Sequence, residues 1–188
     1  METRSVDGVP YMTSCFGGCH SISAFDGFKV LNLSYKGSSD YKDHRCFSMH
    51  LLLPDARNGL PALVERVCSE SGFLDRHLIK WNMVRAGRLL IPKFKISSRF
   101  EASCVLEKLV LGGVGANTNI FHQAVIEVNE DGTTAAAATV AIWVGASAPP
   151  PQEIQDFVAD HPCIHAILIR EGGGTVLFMG QVLNPLAG

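Results

Sequence analysis

Three groupings of residues in this 188-residue sequence have the types that could do chemistry. Ser147 lies in Gly145-Ala-Ser-Ala-Pro149, with His161 and His165 downstream as candidate bases. A serine nucleophile on a strained elbow needs a second glycine and a strand-to-helix setting. Pro149 stands where that glycine should be, so no hydrolase centre is expected. Cys15, Cys19 and His20 could offer soft metal ligands, but Cys-x3-Cys has no second half of the same kind, and two free thiols in a loop are expected instead. The glycine-rich run Gly112–Asn119 invites a phosphate, yet no Gly-Lys-Ser/Thr follows, so a plain turn is expected. The residues therefore point to no catalytic residues, no metal and no cofactor, and the chain is not expected to be an enzyme.

Composition narrows the classes further. Hydrophobic residues make up 47% of the chain, enough for one domain with a real core over residues 1–188. The net charge of -2 comes without blocks of like charge, so neither nucleic acid nor a membrane surface is expected as a partner. No apolar run has the length of a membrane span. The first eight residues carry no apolar signal core, and six cysteines lack a framework spacing. Both observations fit an intracellular, cytoplasmic and reducing setting. Asn32-Leu33-Ser34 is a glycosylation sequon that would matter only outside the cell.

The most unusual stretch runs from Ile126 to Pro151. A strand ending in Val128 meets an acidic turn, Asn129-Glu-Asp-Gly132, and then a run of very small residues. Alanine favours helix, but β-branched Thr133, Thr134, Thr139 and Val140 and the lack of a polar face do not. Pattern alone leaves both helix and exposed loop open. The wording Glu130-x-Gly132-Thr133-x-Ala135-Ala136-Ala137-Ala138-Thr139 resembles the hinge of a serpin reactive-centre loop, closest to the plant serpins. Phe157-Val-Ala-Asp-His-Pro162, Val176-Leu-Phe-Met-Gly180 and Asn184-Pro-Leu186 follow in the family's order. Ser23–Phe28 and Phe47–Asp55 extend the match upstream.

The resemblance implies an α+β fold. It would be the C-terminal half of a serpin, with mixed and antiparallel sheets, a few short helices and an exposed loop over about residues 130–151. It also implies an N-terminal truncation and a further shortening between Leu111 and His122. A serine protease would bind the loop, and alignment puts the scissile bond at Ala146–Ser147. The alanine side chain suits a small, elastase-type pocket. In inhibitory serpins the cut loop enters a large sheet as a new central strand, and the handful of small hinge residues, Thr133 and Ala135–Ala138, would let it enter quickly. Lys93 and Glu130 match a charge pair closing the top of that sheet, and His122 matches a histidine where it parts. With most of the accepting sheet on the unmatched half, the expectation is a non-inhibitory serpin homologue. The alternatives are a suicide-type inhibitor with small-residue specificity and a strand-adding interaction protein, with self-association through exposed edges. The family also admits an extracellular setting.

The elements that must carry this loop follow from pattern. Strands are expected from Phe28 to Tyr35, Phe47 to Leu53 and Val84 to Ile96, the last as one long strand. Leu60, Leu63, Val64 and Val67 recur at helical spacing, Phe73–Leu78 suggests a second helix, and Glu101–Leu111 a third. Val84–Ile96 and Phe121–Val128 would be what remains of the large sheet. Cys163–Ile169 and Thr175–Leu183 read as an antiparallel hairpin, apolar enough to be a core pair turned by Gly172-Gly-Gly174. Residues 1–20 show no periodicity.

Overall fold

The structure is a computed structural model that describes residues 8–13, 19–35, 47–78, 82–101, 121–129, 154–169 and 175–187. Its framework is an eight-stranded mixed sheet built from β1 (Tyr11–Thr13), β2 (Cys19–Phe25), β3 (Phe28–Ser34), β4 (Phe47–Pro54), β5 (Met83–Pro92), β8 (Ile154–Val158), β9 (Cys163–Ile169) and β10 (Thr175–Val182). The order is β1-β5-β2-β3-β4-β9-β10, with β8 beside β5. Arg85 pairs with both Cys19 and Ile154, and Leu90 with both Thr13 and Val158. β1 and β2 therefore share one edge of β5, and β8 takes the other. The β5–β8 pair is parallel, and the rest are antiparallel.

Alternation explains how the sheet is covered on both faces. In β4, Met49, Leu51 and Leu53 point to one side and Leu52 to the other, and all are buried. The Leu52 side meets α1 (Leu60–Ser69) and α2 (Phe73–Leu78), whose Leu60, Leu63, Phe73 and Leu78 complete that core. Pro61 starts α1 without loss, since an N–H there has no helical partner. Arg66 ties helix to sheet. Its guanidinium donates to the Asp26 carbonyl at 2.9 Å and lies over the Phe28 ring, 5.3 Å from the centroid. On the opposite side Ile22, Leu31, Met49, Phe157 and Cys163 are sealed, and burial pushes the Cys163 thiol up to about 12.

A second, two-stranded sheet pairs β6 (Phe94–Glu101) with β7 (Phe121–Val128). Its end packs on the larger core through Phe94 and Val128, with Ile96 and Ile126 half-buried. The single strand expected over Val84–Ile96 is thus two. Pro92 ends β5, where a proline cannot continue a ladder as donor, and Lys93 N–H turns aside to the Pro10 carbonyl at 2.8 Å. Glu101 closes β6 instead of opening a helix, and residues 102–111 lie outside the described residues. The two-strand remnant is β6–β7, since β5 belongs to the larger sheet.

Two other expectations change. Cys19 and His20 begin a strand within the stretch that showed no periodicity, and β1 precedes them. The β9–β10 hairpin forms as expected, but only β9 is a core strand. Among the described residues β10 is an edge, on which Leu177, Phe178 and Met179 are exposed. The Gly172–Gly174 connection lies outside the described residues.

Candidate functional site

Two strands lead into and out of the candidate loop. β7 delivers it from the small sheet, ending where Val128 pairs with Phe94 and is buried. Lys95 and Glu127 face each other across this ladder, Nζ to Oε2 3.1 Å, and the Asn129 side-chain amide donates to Glu127 Oε1 at 3.3 Å. β8 receives the chain on the far edge of β5, in the other sheet. Residues 130–151 thus connect two sheets.

Of the residues expected to form the site, Glu130, Gly132, Thr133, Ala135, Ala136, Ala137, Ala138, Thr139, Ala146 and Ser147 lie outside the described residues. Lys93 stands just before Phe94, at the end of the ladder where Asn129 leaves it. His122 pairs with Phe100 in the β6–β7 register, and its side chain is outside the described residues. The Cys15 end of the Cys-x3-Cys pair is outside as well, and no metal-binding cluster occurs among the described residues.

The β8 end is rich in polar contacts that sequence reasoning missed. Asp156 Oδ1 accepts the Arg88 backbone N–H at 2.8 Å and Oδ2 accepts Arg88 Nε at 3.3 Å. The Arg88 N–H, more than any other cause, holds this carboxyl below its ordinary range, against a little desolvation and with help from the Arg88 and Lys29 charges. After β8 the Ala159 N–H continues the ladder to the Leu90 carbonyl at 2.9 Å. Asp160 then pairs with Arg57 and with His161 Nδ1, the latter at 2.7 Å. His161 Nε2 meets the Pro54 carbonyl at 2.7 Å. The ring thus links the Asp160 side chain to the β4 backbone. Burial opposes ionisation of Asp160, but the His161 hydrogen bond and the Arg57 guanidinium outweigh it and lower the carboxyl. Asp160-His161-Pro162 is therefore a structural turn into β9 and not a base beside a nucleophile.

A cavity opens beside this turn, lined by Tyr11, Arg57, Asp160, Pro162, Val182 and Pro185 among others. Burial first, and then the Asp160 charge, raise the Tyr11 phenol. His165 sits apart. It is 2% exposed, against the Phe94 ring at 5.6 Å, with neither ring nitrogen hydrogen-bonded among the described residues. Burial pushes it down to about 4. A Cβ on the facing Gly180 would come within 2.7 Å of His165 Cε1, so that glycine makes room for the ring.

Comparison with known proteins bears on what this arrangement belongs to. A family model described as Serpin (serine protease inhibitor) matches residues 115–185. Serpin-ZX of Arabidopsis thaliana is 41% identical over 98% of this chain and 51% of its own length. Serpin-Z2 of the same plant is 46% identical over 87% of this chain and 39% of its own. The chain belongs to the serpin family. Serpin-Z4 of Hordeum vulgare is similarly related, 43% identical over 88% of this chain and 44% of its own. Among solved structures, Arabidopsis AtSerpin1 in its native stressed conformation superposes with a TM-score of 0.72 at 38% identity, over 95% of this chain and 48% of that one. Maspin, at 23% identity and a TM-score of 0.65, shares the fold. The chain spans about half the length of the curated serpins it matches. The sheets and short helices described above agree with a partial serpin fold.

Proposed function

We propose that this polypeptide offers residues 130–151 to a serine protease as a bait loop, cut at Ala146–Ser147, and by itself acts as a substrate of that protease and not as its trap. The observation that carries this is the small sheet. Among the described residues β6 and β7 pair only with each other, so a strand inserting beside β7 would gain one partner instead of two. In the insertion mechanism that the family resemblance implies, gain of ladder hydrogen bonds on both sides drives the capture. A one-sided addition supplies far less.

The protease serine would attack the Ala146 carbonyl and form an acyl-enzyme that water then resolves. The alanine before the bond favours a small, elastase-type pocket and leaves nothing to pair with the acid of a trypsin-type one. The test is incubation of the chain with an elastase-type and a trypsin-type protease, followed by a denaturing gel. Clean cleavage after Ala146 with the protease still active is expected. A band at the summed mass that survives denaturation would overturn the substrate reading and establish a covalent trap. A second reading, strand addition to another polypeptide, is favoured by β10. It is an uncharged edge that exposes Leu177, Phe178 and Met179.

A further inference from the structure

At one point of the large sheet a bulge meets a carboxylate. β5 sets Ala86 against Gln155 and Leu89 against Phe157, so Gly87 and Arg88 together face Asp156 alone. The buried positions of β5 change phase across this point, Val84 and Ala86 before it and Leu89 and Ile91 after it. Into the slack comes the Asp156 carboxylate, bonded to the N–H and the guanidinium of Arg88. A Cβ on Gly87 would collide with Asp156 Oδ1 and lie 3.1 Å from Ile154 Cγ2. Only glycine leaves room for the acid. Lys29 Nζ on β3 adds a contact to the Asp156 carbonyl at 3.4 Å.

We infer that Asp156 is a positioning residue that fixes the register of β8 on β5, with Gly87 as its socket. Asp156 thereby sets the point at which the chain from the candidate loop rejoins the sheet. That last consequence rests on the bait-loop reading, but the lock itself does not. β8 needs such a lock. It has five residues on the outer edge of β5, one fully buried side chain in Phe157, and a buried Gln155 Oε1 without a hydrogen-bond partner among the described residues. A slip of one residue would turn Phe157 out of the core. Hydrophobic burial punishes that slip, and the carboxylate in the bulge adds directed bonds that single out one longitudinal position.

The test is amide hydrogen exchange on the full chain. In Asp156→Ala and Gly87→Ala the peptide covering residues 154–160, including the Ala159 N–H, is expected to exchange about tenfold faster, while Cys163–Ile167 keep their protection. Asp156→Asn keeps an acceptor for the Arg88 N–H and is expected to restore most of the protection. The Gly87→Ala/Asp156→Ala double variant is expected to stay close to Asp156→Ala alone, because most of the clash is with the carboxylate and the Ile154 methyl needs to give only a little. Wild-type exchange in Gly87→Ala would overturn the proposal. So would additive effects in the double variant, or acceleration spread equally over β9. A separate readout is cutting by an elastase-type protease. A single site in the wild type should spread over several bonds in Asp156→Ala. If the wild type is not cut within residues 130–151, the bait-loop reading fails while the exchange result still decides the lock.

Discussion

The two strands that flank the candidate loop are held in opposite ways. β7 has a ladder of eight pairs with β6, but of its side chains described only Val128 is buried, and Val125 is 51% exposed. β8 is shorter and its ladder is interrupted, yet Phe157 is sealed in the core, Asp156 in the middle of the strand is bonded to β5, and Asp160 just beyond its end pairs with Arg57 ahead of α1. Length of pairing is therefore a poor guide to firmness here. A long ribbon with one covered end can give way along its length, whereas a short strand with directed locks keeps its place.

The sharpest way to break the contrast is Phe157→Ala. It should cost about 3–5 kcal/mol in denaturant unfolding, while Val125→Ala on β7 should stay within about 0.5 kcal/mol. Equal losses would mean that the small sheet is as well anchored as the large one. A second test separates the sheets by acid. His165 is neutral in the core, so its folded value of about 4 lies below the unfolded one. Its contribution is then complete above the ordinary histidine range and is lost as pH falls toward 4. Between pH 7.5 and pH 5 it should remove about 2 kcal/mol, and burial of His20 acts in the same direction. His165→Leu should flatten that slope in urea titrations at the two pH values. An unchanged slope would show that the imidazole is solvated. The smallest effect belongs to β7. Breaking the exposed Lys95–Glu127 pair by Lys95→Ala should change stability by less than about 0.5 kcal/mol, measured at low and high salt.

What could be read in advance follows the same division. β3, β4 and both helices were legible because their apolar residues recur at the period of one covered face or two. The break at Lys93 was not, since apolar residues continue through Pro92 into Phe94 and alternation does not say which sheet a strand joins. β2 stayed hidden because its buried Ser21 and Ser23 interrupt the apolar pattern. β10 carries the apolar run of a core strand, but whether such a run is covered depends on neighbours no local pattern contains. At the site, the loop was legible through its hinge wording and not through periodicity. The Asp156 lock left one trace, the skipped beat between Ala86 and Leu89, which the reading of Val84–Ile96 as one long strand passed over.

Cys163 turns the core into a clock. Its thiol is buried and held almost wholly protonated, so a thiol reagent in bulk water finds nothing to attack while β9 is in place. Cys68, exposed on α1, is open to the same reagent throughout. The ratio of the two modification rates counts how often the sheet opens, and the chain carries this timepiece without any added label.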